Sequence, residues 1–275
     1  MGGFGPAIPL LREDQGTSAA VAGLHGTALG IAAIIAGYIN APLVHRFGRY
    51  KSLWIGSVIF NLGAFSFVIF PSPWQTIPAI LIAGIGVSTI INNAFVYLTE
   101  HYGNNAASAV MQANGVNSFF FLIGNFIIGT LASTTISWRL GLLLCIPFAV
   151  GLYLILGKSH VSAQVVEEHA PQKGSLPIRY WLSWIALFFS IAGEFAIQFW
   201  SAALVRERTH LTTATATTLV LAFPLGMAIG RWFGGSIAPR IGIDGRLRFV
   251  MVLQLLAFIA FWFSTSALQI GRAHV

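Results

Sequence analysis

Apolar runs of about twenty residues alternate with short polar or proline-bearing breaks along most of this chain, the run length that carries an α-helix across a bilayer. The pattern predicts helices over residues 20–43, 53–70, 77–98, 106–132, 138–156, 180–204, 212–238 and 247–267. Between them, Pro71 to Thr76 (PSPWQT) breaks the chain by proline, and Thr99 to Asn105 is polar and glycine-containing, a predicted loop. Met1 to Leu11 is apolar but at about 1.5 Å per residue spans only half a bilayer, and Arg12 to Ser18 follows as a predicted polar loop. The longest polar stretch, Gly157 to Arg179, holds Lys158, Glu167, Glu168 and Lys173 and predicts a linker. The expected organisation is an N-terminal bundle over 1–157, a linker over 158–179, a partial second bundle over 180–269 and a tail over 270–275.

Composition sharpens the class. Only 8% of residues are charged and 56% are hydrophobic, against about 25% charged in a soluble domain. A polytopic all-α membrane protein follows. The formal charge of +7 does not mark a nucleic-acid binder, because no dense basic patch with interleaved aromatics exists. Cys145 is the one cysteine and lies in an apolar run, which excludes an intrachain disulfide or a thiolate metal site. No cofactor is implied. The cations follow topology instead. Nine of them (Arg46, Arg49, Lys51, Lys158, Lys173, Arg179, Arg240, Arg246, Arg248) fall on one side of the predicted spans and four (Arg12, Arg139, Arg206, Arg208) on the other. Cations favour the cytoplasm, so the basic turns and the linker are expected on the cytoplasmic side of a multi-pass cell-membrane protein.

Three cations crowd the stretch Ala41 to Lys51, APLVHRFGRYK, between two apolar runs. A second copy follows: shifted by 194 residues without a gap, Arg46 falls on Arg240, Gly48 on Gly242, Arg12-Glu13 on Arg206-Glu207, Ala22 on Ala216, Ala32 on Gly226 and Ala36 on Gly230. Such a series is an internal repeat. The basic turn resembles the loop between helices 2 and 3 of the major facilitator superfamily of secondary transporters, G-x-x-x-D-R-x-G-R-[KR]. Here Ala41 stands for the first glycine, His45 for the acid, and the last cation falls on Lys51. The resemblance implies two pseudo-symmetric halves, about eight complete transmembrane helices corresponding to helices 2–9 of twelve, and a chain truncated at both ends. The tail IGRAHV, Ile270 to Val275, resembles a translated sequencing adapter, and the chain alone is expected to be inactive. The resemblance makes Arg46, Gly48, Arg49, Lys51, Gly235, Arg240 and Gly242 candidates for cytoplasmic gating; the competing reading is simple topogenic charge.

Glu194 is the sharpest candidate for chemistry. An acid at a helix centre costs about 2.5–3.5 kcal/mol to insert, and such residues usually mark proton or substrate paths. Ser190, Glu194 and Gln198 recur every fourth residue, so one helix face is polar. Burial as a neutral, hydrogen-bonded packing group is the alternative. The order Gly193-Glu194 with Trp200 resembles a sugar-symporter branch of the superfamily. Ser88 with Asn92 and Thr89 with Asn93 make two adjacent rows on another helix. They suit either a polar solute or interhelical hydrogen bonding. Gln112, Asn114, Asn117 and Asn125 add amides to the next helix, where the Gly-Pro pair of drug antiporters is replaced by Gly124-Asn125. Arg231 is read as a snorkelling arginine, offset from Glu194 by several residues. His25 is more naturally a packing histidine than a titrating one. Phe119, Trp54, Trp181 and Trp184 are expected as lipid-facing or interfacial anchors.

The resemblance thus implies alternating access by a monomeric transporter in a lipid bilayer, carrying a small polar solute such as a sugar or metabolite by proton symport. Glu194 would take the proton; Asn92, Asn93 and Gln198 would contact the solute. Proton-coupled efflux is the alternative in direction. A membrane enzyme on lipid-linked substrates is disfavoured, since Glu100-His101 is the only acid–histidine pair at the end of a predicted helix and no H-x-x-x-H or D-x-x-x-D spacing occurs in the helices. A non-transporting sensor on the same fold stays open.

Overall fold

The computed structural model describes residues 4–157, 176–237 and 243–263. Among these, every element is helical: α1 (Phe4–Gln15), α2 (Ala19–Phe47), α3 (Arg49–Ile69), α4 (Pro73–Tyr102), α5 (Ala106–Ala132), α6 (Arg139–Leu143), α7 (Cys145–Leu156), α8 (Ile178–Thr209), α9 (Thr213–Leu219), α10 (Ala222–Ile237) and α11 (Ile243–Phe263). Lipid offers no partner to a backbone N–H or C=O, and a helix satisfies both internally. Five stretches are long and apolar enough to cross a membrane: Ala19–Phe47, Arg49–Ile69, Pro73–Ala132 (α4 and α5), Arg139–Leu156 (α6 and α7) and Ile178–Ile197. The linker expected over 158–179 lies largely outside the described residues, as do Arg240, Gly242 and the IGRAHV tail.

Helices extend further than hydropathy predicts. The basic stretch is not a loop: α2 runs to Phe47, α3 starts at Arg49, and Gly48 alone breaks the two. Its φ of 78° belongs to the region open mainly to glycine, and its N–H still reaches the Val44 carbonyl at 2.8 Å. Arg12 to Gln15, expected in a loop, complete α1. Thr99 to Tyr102 likewise extend α4, followed by a 3₁₀ turn over Gly103–Asn105. Charged residues prolong a helix into the headgroup layer at no cost, because their side chains reach water.

Two predicted helices are broken instead. The span over 138–156 divides at Leu144, between α6 and α7, and that over 212–238 divides at Val220–Leu221, between α9 and α10. Pro147 and Pro224 explain both. Each lacks the N–H that would bond four residues back, to Leu143 and Val220, and its ring crowds that carbonyl. Pro42 and Pro78 are carried inside α2 and α4 without such a break.

The 194-residue repeat reaches the backbone. α1 ends at Gln15 and α8 at Thr209. The next residues, Gly16 and His210, take left-handed φ of 60° and 56°. The following helices begin with matching caps: Ser18 accepts from the Val21 N–H, and Thr212 from the Thr215 N–H. Buried positions match too: Ala7 with Ser201, Ile8 with Ala202, Leu11 with Val205, Ala22 with Ala216. The copies differ where Pro224 replaces Gly30, so α2 is continuous and its counterpart is α9 plus α10.

Small residues let the first-half helices approach backbone to backbone. A Cβ at Gly63 of α3 would sit 2.7 Å from the Ala83 Cα and 2.8 Å from the Ala79 carbonyl of α4. One at Gly84 would sit 2.6 Å from the Ala32 Cβ of α2. Around this seam pack Phe67, Ile80, Ala64, Leu29 and Ile8, all buried.

Gly63→Val is therefore expected to cost about 1–3 kcal/mol of bundle stability through overpacking. Gly26→Ala, where a Cβ meets nothing within 4 Å, should change it by less than about 0.5 kcal/mol. Gly48→Ala has equal room but the wrong φ and should cost about 1–3 kcal/mol. Equilibrium unfolding in mixed micelles checks all three.

Candidate functional site

Where α8 crosses α1, α2 and α4 it leaves a cavity of about 690 Å³ between the halves. Its floor is the small-residue face of α2, Gly23, Gly26, Gly30 and Ala33, and its wall is the aromatic face of α8, Trp184, Phe188, Phe195 and Trp200. Glycines at this spacing on one helix face leave the room that the rings on the other enclose; the Trp200 indole lies 3.5 Å from where a Gly23 Cβ would be. Thr27 and Ser88 supply side-chain hydroxyls. Trp184, expected as a lipid or interfacial anchor, also lines this cavity, stacked on Phe188 at 5.9 Å. About half of the residue remains exposed.

The polar rows of α4 part company. Ser88 faces the cavity. Thr89 and Asn93 are buried on another side: Thr89 Oγ1 donates to the Ile85 carbonyl at 2.8 Å, and Asn93 Nδ2 donates to Asn40 Oδ1 of α2 at 2.6 Å and to the Thr89 carbonyl at 2.8 Å. Asn92 is half-buried. The lining of the cavity includes neither asparagine, nor Glu194. Gln198 lies on α8 with its side chain outside the described ones, and the surroundings of Gly235 on α10 are likewise undescribed.

Glu194 points toward α10. Its Oε1 lies 3.4 Å from Arg231 Nη2, and Arg231 Nη1 donates to Ser118 Oγ of α5 at 2.8 Å. The offset expected between Glu194 and Arg231, and the snorkelling role given to the arginine, are thus corrected. Glu194 stands 15 residues before the end of α8 at Thr209, and Arg231 stands 18 after the start of α9 at Thr213. Three residues of rise are about 4.5 Å, within reach of an arginine side chain. Ser118 was not singled out by sequence; a lone serine amid Phe119 to Phe121 carries no signal of its own.

The charged end of α1 ties one face of the molecule together. Glu13 pairs with Arg206 of α8 across the halves. Asp14 accepts from Trp138 Nε1 at 3.1 Å and pairs with Arg139 at 3.4 Å. Gln15 Nε2 donates to the Pro71 carbonyl at 2.9 Å and to Thr76 Oγ1 at 3.3 Å. His25 is buried beside them, with Nδ1 3.2 Å from the Ala22 carbonyl and Nε2 2.9 Å from Thr76 Oγ1. A carbonyl only accepts, so Nδ1 carries the hydrogen and Thr76 donates to Nε2. This is the packing role expected of His25. A polar pocket, lined by Arg12, Glu13, Arg206, Glu207 and His210 among others, opens on the same face.

At the opposite, basic face, Arg49 pairs with Glu100 of α4 at 2.9 Å. Ser52 Oγ donates to the Gly48 carbonyl at 2.8 Å, and the Tyr50 hydroxyl donates to the Leu156 carbonyl. Arg46 lies over the Phe47 ring, and Lys51 is exposed. Trp54, also expected at the lipid boundary, packs edge-on against Tyr153 at 5.0 Å and Tyr50 at 6.2 Å. The turn is thus fastened to α4 and α7. Glu100, the acid of the Glu100-His101 pair, is spent on Arg49, and no group of three or more metal-ligating side chains occurs among the described residues.

The chain resembles known transporters along much of its length. It is 30% identical over 156 residues to Sugar transporter ERD6-like 15 of Arabidopsis thaliana, an alignment covering 54% of this chain and 31% of that protein. It is 24% identical over 133 residues to the putative metabolite transport protein YwtG of Bacillus subtilis (strain 168), covering 48% and 29%. It is 29% identical over 86 residues to Inositol transporter 4 of Arabidopsis thaliana, covering 31% and 14%. The chain thus spans about a third or less of the length of these relatives. The family model of the Major Facilitator Superfamily matches residues 1–271. With its repeated helical halves and the cavity between them, the chain belongs to the Major Facilitator Superfamily of membrane transporters, not to a family of enzymes.

Proposed function

We propose that this protein carries a small sugar-like or metabolite solute across the cell membrane by alternating access, coupled to a proton taken by Glu194. The observation that carries the reading is the pairing of Glu194 with Arg231 beside an inter-half cavity. A carboxylate in an apolar span stays ionised only while a cation balances it, and protonation removes the need for that cation. The relatives named for sugar and inositol transport support the solute class. Rocking of the halves would break the Glu13–Arg206 contact, which crosses between them, while the Arg49–Glu100 pair, within the first half, would move with it. The cation bias of the chain supports a cytoplasmic position for the basic turn and the linker.

A second reading, efflux of an amphipathic compound by antiport, is favoured by the cavity itself. Its described lining is chiefly glycine, alanine and aromatic rings, with few polar side chains. Such a wall stacks on flat or apolar faces more readily than it hydrogen-bonds a fully polar solute.

Proteoliposomes carrying the protein, with a trapped pH dye, test both readings. Hexose or myo-inositol added outside should acidify the lumen as solute and proton enter together, and Glu194→Gln should abolish that proton movement while leaving solute exchange; alkalinisation on adding an amphipathic compound outside favours the antiport reading instead. Proton movement unchanged in Glu194→Gln removes Glu194 from the mechanism. Gly26→Leu, at a floor position where an added Cβ meets nothing within 4 Å, projects a side chain into the cavity and should lower solute exchange by about tenfold or more, the effect of a misfitted site.

A further inference from the structure

We propose that Arg231 is a two-sided switch tying the charge of Glu194 to the contact between the two halves. The inference rests on the reading of Glu194 as a proton-binding group. A guanidinium keeps its charge at all working pH and presents several donors in a rigid fork. One prong, Nη2, meets Glu194 of its own half at 3.4 Å; the other, Nη1, meets Ser118 of the opposite half at 2.8 Å. Ser118 Oγ in turn donates to the Asn114 carbonyl at 3.0 Å, so its hydroxyl is oriented to accept from the arginine. One residue along α10, the Trp232 ring lies 3.1 Å from where a Gly115 Cβ would be, so α5 and α10 are in close contact at this level.

With Glu194 ionised, the arginine is balanced and its second prong holds α5. With Glu194 protonated, Arg231 carries an unbalanced charge in an apolar seam. Among the described residues, Glu194 is the carboxylate set against Arg231. α5 has no ionisable residue, and Arg231 is the one ionisable residue of α9 and α10. On α1, which packs against α8, Glu13 and Asp14 are paired with Arg206 and Arg139. α8 itself adds Arg179 near its start and Arg206, Glu207 and Arg208 near its end. α11 carries Asp244, Arg246 and Arg248 within its first two turns. An unpaired cation in such a place draws water toward itself, which separates α10 from α5. Glu194 has further contacts of its own; the inter-half hydrogen bond belongs to the arginine. Ser118 is then a positioning residue, acting through Arg231.

Spin labels at Phe119→Cys on α5 and Ile229→Cys on α10, both exposed positions, in a Cys145→Ser background read the seam directly on the full chain in nanodiscs. At about pH 8 the inter-label distance should be short and narrowly distributed; on acidification a longer-distance population should grow roughly tenfold, the size set by one charge-assisted hydrogen bond. Glu194→Gln should show the longer population already at the higher pH. Ser118→Ala should raise it there while leaving less further response to acid. Distances that do not change with pH, or a Glu194→Gln protein indistinguishable from the parent at the higher pH, overturn the proposal. An acid-driven separation in a protein whose solute transport moves no protons would keep the switch and discard proton coupling.

Discussion

Inside a bilayer every backbone N–H and C=O needs a partner from the chain itself, and this requirement shapes the molecule more than any side chain does. It makes each described element a helix and confines breaks to a few kinds of place. One is a glycine with a left-handed backbone, as at Gly48. Another is a proline that removes a donor, as at Pro147 and Pro224. The remaining breaks are the polar ends, where water can take over. With the backbone satisfied, helices associate by fit alone, since lipid is as apolar as leucine. The contact of Gly63 with Ala79 and Ala83, and of Gly84 with Ala32, is that fit. It fixes α2, α3 and α4 as one block, against which the cavity face of α2 is held.

Polar side chains within the spans are then few, and several find a partner close by, whereas Trp54 Nε1 and Ser201 Oγ are buried without one among the described residues. Thr89, Asn114, Ser118 and Asn125 turn back onto their own helix carbonyls. Asn93 crosses to Asn40, and His25 to Thr76. These contacts hold a bundle together. The Glu194–Arg231–Ser118 chain differs in two respects: it contains full charges, and it crosses from one half to the other. That is why it, rather than the amides of α4, is the centre of the mechanism proposed for this transporter.

The two halves differ as much as they match. The turns after α1 and α8 are near copies in φ, cap and buried positions, which argues for a common ancestor of both bundles at the level of backbone geometry. Yet α2 is unbroken and its counterpart is divided by Pro224, and Arg231 has Gly37 as its repeat mate. Charge and break were placed in one half only. A symmetric frame with an asymmetric polar centre gives the two faces different fastenings: Glu13 with Arg206 at one, Arg49 with Glu100 at the other.

The sequence by itself determined the class and the repeat, because hydropathy and a gapless 194-residue shift depend only on the order of residues. It placed α5 over Ala106–Ala132 to the residue, where a polar run and a serine-threonine run bound a stretch with no charge and no proline. It also singled out Glu194, since a mid-span acid is visible from hydropathy alone. Only the tertiary structure decided partners. Depth along two antiparallel helices depends on where each begins, on the break at Val220–Leu221 and on side-chain reach, so Arg231 looked remote from Glu194 in the sequence and meets it in the fold. The same holds for Trp184, whose aromatic ring suits lipid or cavity equally until the neighbouring helix is in place, and for Ser118, whose role exists only because α10 lies across α5.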